Sequence, residues 1–352
     1  MITPAPTPTH GSTNTTCRPR APKSTVRNDI PYKQQSPVTS VPHCILLIHG
    51  VGVERHGFNR GLGKRIRKTF AKTVRGLGQK HPYGGLLVRE VVWSGITQHD
   101  QHHLWHRLFP DRSSSSGDGP STHWGSWLRR LSYWSSFRKL ILSYVGDPIS
   151  YVPGWSKYQR IHDEVLTAIE GFQNPAAPEP VLLTIVAHSL GSVIASDLMA
   201  SLTAPDARRR WPAGIVLANF ITVGSPLALY VLRHELRQTS APPPVQLHDP
   251  HGVWVNVYDP QDILAYPLKQ LNRTYDECIL ADMEINAGQR WNPLHRLMQM
   301  TPLSHFLYWF DHTVADLVGR KTALDWLRSN NRIPFPELSR HYEAYKTWVR
   351  AQ

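Results

Sequence analysis

Short, nearly continuous apolar runs recur along the chain, separated by longer polar or amphipathic stretches. Runs of this length without polar alternation are typical of strands buried on both faces, as in a parallel sheet. They predict strands at Cys44–Gly50, Leu86–Trp93, Val181–Ala187, Ile215–Val223, Val253–Tyr258 and, more weakly, Cys278–Ile285. The sequence therefore predicts a mostly parallel sheet.

Apolar residues at helical spacing lie between several of these runs. One predicted helical face comprises Leu62, Ile66, Phe70, Val74 and Leu77. Further helices are predicted at Ile161–Ile169 and Ser192–Leu202. Strands that alternate with helices indicate βαβ units, so the expected fold is α/β, with helices flanking the sheet.

These elements predict one α/β domain over residues 43–330, to which other segments are attached. Residues 1–42 are rich in Pro, Thr and basic side chains and too poor in apolar ones to build a core, so we expect a disordered basic tail. Residues 94–155 are interpreted as a cap or lid insertion, a polar loop followed by an aromatic amphipathic helix. The helical pattern beyond Arg320 is expected to pack peripherally, and residues 331–352 to form a C-terminal helical extension.

Composition narrows the class of protein. Apolar residues make up 41% of the 352, which is enough to build a core and excludes wholesale disorder. Three cysteines cannot form a disulfide framework and match no zinc motif, and no apolar run reaches the ~18 residues of a membrane span. We therefore expect a cytoplasmic protein.

The charge favours anionic partners. The chain has 39 Lys and Arg against 26 Asp and Glu, a formal net charge of +13. Peripheral contact with an anionic membrane is the expectation, and nucleic acid is ranked last because no nucleic-acid-binding motif accompanies the charge.

The most specific chemical signal is the segment Val186–Ser192, Val-Ala-His-Ser-Leu-Gly-Ser, between a predicted strand and a predicted helix. A small residue two positions before and after a serine at such a turn is the pattern of a nucleophile elbow, and Ala187 and Gly191 satisfy it. The elbow presents the Ser189 hydroxyl at a helix N-terminus, where developing negative charge is favoured. The alternative interpretation is an ordinary serine that caps the helix.

A second signal, His49-Gly50-Val51-Gly52, follows the first predicted strand. Acyl transfer needs backbone N–H donors fixed in advance around the oxyanion of the tetrahedral intermediate. The expected donors are Leu190, directly after the serine, and Val51 in the early glycine-rich loop.

With these motifs the sequence resembles the α/β-hydrolase superfamily, and most closely its lipase and esterase branch. The Ala-His-Ser-Leu-Gly block at 187–191 also resembles that of DDHD-type phospholipases. Thr222–Leu227 is similar to the turn after the next strand in lipase-like proteins, and Tyr258–Leu268 resembles the loop that carries the acid of their catalytic triad. The resemblance covers about residues 43–318 and implies the chain order Ser, acid, His.

The resemblance implies Asp262 as the triad acid. Asp259 is the alternative, because it lies nearer the predicted strand end, although it suits an Asx-turn before Pro260. Ser304–Trp309 resembles the lipase-like Ser-His-X-X-Tyr-Trp segment, which implies that His305 is the base and opens the last helix.

Other histidines remain open as alternatives. His295 and His312 compete with His305 for the role of base. His188 and His49, beside the serine and in the glycine-rich loop, are expected to pack the turns and not to act as bases.

These residues predict a serine carboxylester hydrolase that acts on apolar acyl or lipid esters through an acyl-enzyme, with no metal or organic cofactor. A thioesterase or transacylase on the same fold, or a non-catalytic binding module, is the alternative. Cations on the first helix and in the insertion suit either a solvated face or phospholipid head groups. The cations of the helix are Lys64, Arg65, Arg67, Lys68, Lys72 and Arg75.

Overall fold

The computed structural model describes most of the predicted domain. The described residues are 40–51, 57, 59–80, 84–97, 103, 107, 147–174, 179–204, 207, 209–236, 243–287 and 304–352. Residues 1–39 of the predicted tail and the predicted aromatic helix of the insertion lie outside them, as does His295.

Six parallel strands form one sheet in the order β2-β1-β3-β4-β5-β6. The strands are β1 (His43–Ile48), β2 (Leu86–Val91), β3 (Val181–His188), β4 (Ile215–Val223), β5 (Val253–Tyr258) and β6 (Ile279–Glu284). All six apolar runs are thus strands, and β1 and β3 are buried along their whole length.

Helices connect and cover the strands. They are α1 (Arg60–Gly76), α2 (Ser156–Glu170), α3 (Leu190–Thr203), α4 (Leu227–Leu236), α5 (Arg273–Cys278), α6 (His312–Ser329) and α7 (Phe335–Arg350). A 3₁₀ turn, Ser304–Phe310, precedes α6. None of the described helices combines the length and apolar composition that a membrane span requires.

The helices form a layer on each face of the sheet. One core contains side chains of α2, α3 and α4, and the other contains those of α1, α6 and α7. Trp326 and Leu327 of α6 are fully buried, and so is Tyr342 of α7. The expectation of peripheral packing beyond Arg320 is therefore wrong, because these long side chains complete a core that α1 alone does not cover.

The strand order locates the functional edge of the sheet. The chain runs from β1 outward to β2 and then crosses back over β1 to β3, so the direction of winding reverses between β1 and β3. Ligands of open α/β sheets bind at such a switch point, outside the carboxyl ends of the strands. His49 and Ser189 follow the carboxyl ends of β1 and β3 directly. This doubly wound sheet, with the serine turn after β3, is the predicted α/β-hydrolase fold.

Two long-range contacts fix segments that border the domain. The Thr97 hydroxyl donates to the Asp147 carboxylate over 2.6 Å, so the two described ends of the insertion meet. Asn330, just after α6, accepts a hydrogen bond from the Val41 N–H and donates one to the Val41 carbonyl, at 2.9 and 3.0 Å. These two hydrogen bonds attach the segment just before β1 to the end of α6.

Candidate active site

Ser189 occupies a strained turn between β3 and α3. Its φ is 53° and its ψ −132°, a left-handed backbone that side-chain-bearing residues rarely adopt. Although Ser189 stands at the N-cap position of α3, its side chain makes no capping hydrogen bond. The alternative interpretation as an ordinary helix cap therefore has no hydrogen bond to support it.

Glycine is required at two positions beside this turn. A Cβ at Gly191 would lie 2.4 Å from the carbonyl oxygen of His49, and a Cβ at Gly50 would lie 2.5 Å from the Cβ of Ser189. The backbone of the loop after β1 therefore lies directly against the serine turn.

The two expected oxyanion donors lie on the segments that meet here. Leu190 is the first residue of α3, so its N–H belongs to the helical turn that has no acceptor within the helix. Val51 follows Gly50 and is buried. Leu190 thus directly follows Ser189, and Val51 directly follows Gly50, whose backbone lies against Ser189.

Asp262 and His305 form a buried pair. His305 Nδ1 donates to Asp262 Oδ2 over 2.6 Å, and both side chains are 1% exposed. The other carboxylate oxygen of Asp262 accepts from the Leu264 N–H at 3.1 Å. An Nδ1–H donor leaves Nε2 as the basic nitrogen of the neutral imidazole.

The competing residues have other surroundings. Asp259 accepts from the backbone N–H groups of Gln261 and Ala287, both at 2.9 Å, which is an Asx-turn reinforced from the segment after β6. Burial raises the pKa of Asp259. His312 is exposed at the start of α6. His305 itself lies in the 3₁₀ turn and does not open the last helix as expected: the next helix, α6, begins only at His312, and α7 follows it.

His188 links the serine turn to the His305 turn. Its Nε2 donates to the backbone carbonyl of His305 over 2.7 Å, and the two rings lie 4.8 Å apart. Burial lowers the pKa of His188 well below its ordinary value, with the nearby His305 adding to the effect. His188 is therefore a neutral hydrogen-bond donor, and it sits directly before Ser189.

Tyr308 holds Asp262 from a third direction, in a contact that sequence reasoning missed. Its hydroxyl donates to Asp262 Oδ2 at 3.0 Å and accepts from the Asp259 N–H at 2.8 Å. Gly224 makes room for the ring, since a Cβ there would lie 2.7 Å from it. Burial raises the pKa of Tyr308, and the adjacent Asp262 raises it further, so the phenol stays protonated. In the sequence, the tyrosine of the Ser-His-X-X-Tyr-Trp segment is the feature that could have indicated this contact.

His49 packs the loop after β1. Its ring is stacked on Trp93 with centroids 5.1 Å apart. Its Nδ1 contacts the Gly50 carbonyl, and its Nε2 accepts from the Trp93 N–H at 3.3 Å. With both ring nitrogens engaged by the backbone, His49 supports the loop and is not placed to act as a base.

No group of three or more His, Cys, Asp or Glu side chains suited to hold a metal ion occurs among the described residues. Two further hydroxyl groups, those of Ser192 and Ser225, lie at the serine turn. Ser192 Oγ donates to the Ser189 carbonyl at 2.6 Å and also contacts the Ser225 hydroxyl at 2.7 Å.

Comparisons with known proteins add little to this geometry. No family model and no curated protein matches the chain. Among solved structures, a protein of Xanthomonas campestris pv. campestris described as a "putative hydrolase of the alpha/beta superfamily" is 14% identical, with a TM-score of 0.27. The match covers 75% of this chain and 98% of that one. A likeness this weak carries no argument, so the fold assignment stands on the strand order and on the turn at Ser189.

Proposed function

We propose that the protein is a serine carboxylester hydrolase that acts on apolar acyl or lipid esters. One observation carries the proposal. Ser189, with a φ of 53° and no capping hydrogen bond, lies at the switch point of the sheet, and His188 before it is hydrogen-bonded to the turn that holds the buried Asp262–His305 pair. A strained backbone at such a place indicates function, because strain of this kind costs free energy and persists only where the surrounding structure holds the residue in that conformation.

In the proposed reaction Ser189 attacks the ester carbonyl while His305 Nε2 accepts the hydroxyl proton. Asp262 fixes the tautomer of the imidazole and stabilises the imidazolium that forms. His305 then gives the proton to the leaving alcohol, which departs and leaves an acyl-enzyme. Water, deprotonated by the same imidazole, attacks the acyl-enzyme and releases the acid and free Ser189.

The backbone supplies the stabilisation of the oxyanion in this proposal. The N–H groups of Leu190 and Val51 are the donors, and the helix dipole of α3 favours the negative charge at its N-terminus. The glycines at 50 and 191 let the two segments approach closely enough for both donors to serve one oxygen.

Exposed apolar side chains near the carboxyl edge of the sheet support an apolar substrate. Ile263, next to Asp262, is 69% exposed, and Phe310, at the end of the His305 turn, is 48% exposed. Leu229, in the first turn of α4, is also exposed. Apolar groups on three separate segments around one site favour an acyl chain over a polar substrate.

Labelling by a fluorophosphonate tests the proposal. We expect the full-length protein to be modified at Ser189 and to hydrolyse short p-nitrophenyl esters, and Ser189→Ala to lose both properties. A folded wild-type protein that is not labelled at Ser189 would indicate the non-catalytic binding module. Faster turnover of acyl thioesters, or transfer to an added alcohol in place of water, would favour the thioesterase or transacylase.

A further inference from the structure

Helix α1 carries a stripe of basic side chains on the face opposite its buried residues. The stripe consists of Arg60, Lys64, Lys68, Lys72 and Arg75, all of them exposed. Their spacing of three or four residues places them on one side of the helix, over a length of about 22 Å. The helix contains no Asp or Glu that could neutralise them.

Some exposed cations elsewhere in the described structure do have acidic partners. Arg273 pairs with Glu277 at 2.8 Å, and Arg209 pairs with Asp163 at 2.6 Å. Within the same described ranges, no carboxylate forms an ion pair with a residue of the stripe. Like charges four positions apart weaken a helix, so the stripe does not serve the stability of α1.

The cationic surface extends from α1 onto α6. Lys72 and Arg320 line the same groove of about 380 Å³, which runs between α1, α6 and α7. The Arg320 guanidinium lies over the Trp348 ring at 4.5 Å from its centroid, and this contact orients the charge. The one carboxylate that lines the groove, Asp316, accepts a hydrogen bond from Thr69 at 2.7 Å.

Helix α1 is fixed to the candidate active site. Arg65, on the flank of the stripe, donates to the carbonyl of Trp309 over 2.6 Å, within the turn that carries His305. Phe310, exposed, follows directly. An exposed apolar side chain thus directly follows the residue that α1 contacts in the turn of His305.

We propose that the basic stripe docks the protein on a bilayer that contains anionic phospholipids. Charge complementarity supports this occupant, as does the exposed Phe310, which follows the Trp309 that Arg65 of α1 contacts and which would enter the head-group region. A single-stranded nucleic acid would need several exposed aromatic rings along the stripe, on which successive bases stack, and the one aromatic residue of α1, Phe70, is buried. The inference names a partner for the proposed hydrolase, but binding does not require catalysis.

Vesicle co-sedimentation of the full-length protein tests the proposal. The vesicles contain phosphatidylcholine alone or with about 30 mol % phosphatidylserine. We expect the triple variant Lys64→Gln, Lys68→Gln, Lys72→Gln to bind anionic vesicles about 100-fold more weakly than wild type, since each cation near an anionic surface contributes a factor of about five. The matched control, Arg160→Gln, Arg210→Gln, Arg273→Gln, removes the same charge from exposed positions off the stripe and should bind nearly as wild type.

Other results would overturn the inference. Equal loss in the two triple variants would mean that net charge alone matters, and no loss in either would mean that the stripe is only solvated. Retention of RNA, with loss in the stripe variant and no binding of vesicles, would assign the surface to nucleic acid. Ser189→Ala should bind vesicles as wild type, so a failed labelling experiment and a failed docking experiment are distinguishable.

Discussion

His188 shows how a single buried imidazole can serve a site without taking part in its chemistry. It lies directly before Ser189, and its Nε2–H is bonded to the carbonyl of His305. Its ring also packs edge-on against Trp309 at 5.3 Å. The serine and the proposed base are thus held in one arrangement by their backbone neighbours, and a change at His188 should alter their relative position while leaving both in place.

We predict that His188→Phe, which keeps a ring but removes the donor, lowers kcat for a short ester about 10- to 100-fold with little change in KM, because small misplacements of reacting groups carry penalties of this size. His188→Gln, which keeps an N–H donor, should recover part of the loss. Steady-state kinetics and the rate of fluorophosphonate labelling measure both effects.

The exposed His312 provides the control for this prediction. His312→Phe should leave kcat and labelling unchanged. If His188→Phe reduced activity only in proportion to a loss of folded protein, His188 would be a packing residue and nothing more.

At the scale of elements, the turn after β3 depends on close contact with the loop after β1. Gly191 faces the carbonyl oxygens of Ile48 and His49, at 2.8 and 2.4 Å from the position of a Cβ. Backbone atoms of a central strand cannot give way as a flexible side chain can. Any side chain at position 191 must therefore push the serine turn away from the loop of the proposed oxyanion donors.

We predict that Gly191→Ala destabilises the fold by more than about 2 kcal/mol and abolishes labelling at Ser189. Gly76→Ala is the matched control, because nothing lies within 4 Å of its Cβ position at the end of α1. Alanine also has the higher helix propensity, so this control should be neutral or slightly stabilising. Urea denaturation of the two variants measures the difference, and equal midpoints would contradict the steric argument.

The elements differ in how far sequence alone predicts them. The six strands are predictable because burial on both faces leaves a continuous apolar run, and α1 because its buried residues repeat at helical spacing. The burial of α6 and α7 is not predictable in this way. Their apolar residues are large and interspersed with charges, as in Lys321 and Asp325, and only the fold shows that this charged pair is itself buried.

The residues of the candidate site also differ in how far sequence alone predicts them. Ser189 and its glycines are adjacent in sequence, so local spacing predicts them, and Asp262 and His305 follow from the resemblance of their segments. The contacts of His188 with His305 and of Tyr308 with Asp262 join positions 117 and 46 residues apart. No local pattern encodes such contacts, since they depend on how strands β3 and β5 are placed in the sheet.

At the scale of the whole molecule, a buried polar network crosses the sheet near the start of β1. His43 bonds Thr184 at 2.8 Å, and Asn219 donates to both Thr184 and Asp325 at 2.8 Å. The Asp325 carboxylate also accepts a hydrogen bond from the Lys321 ammonium at 2.5 Å. Burial lowers the pKa of His43 to about 4, against the opposing effect of Asp325, while Lys321 and Arg328 lower it further.

This network makes stability depend on pH. In the unfolded chain His43 takes up a proton near its ordinary pKa of 6.5, whereas the folded protein resists protonation until about 4. The unfolded state therefore binds more protons between these values, and stability falls as the pH decreases through this window. We predict that the contribution of His43 to the free energy of unfolding decreases by about 2 kcal/mol between pH 7 and pH 5.

Denaturation of wild type and His43→Asn at the two pH values measures this contribution. The variant should lose less stability on acidification than wild type. A residual loss is expected from His162, whose pKa burial also lowers to about 4. Equal losses in the two proteins would show that His43 is not the group responsible.

The hydrogen bonds between Val41 and Asn330 link positions 289 residues apart, and they have a consequence for synthesis. β1, the first of the described strands to be synthesised, lies inside the sheet, and the helices α6 and α7, which complete the core on one of its faces, are synthesised after all six strands. During translation one apolar face of β1 therefore remains uncovered until nearly the whole domain has been synthesised. The chain is thus most exposed to aggregation before its last helices are made, and a chaperone that shields short apolar segments would act in this interval.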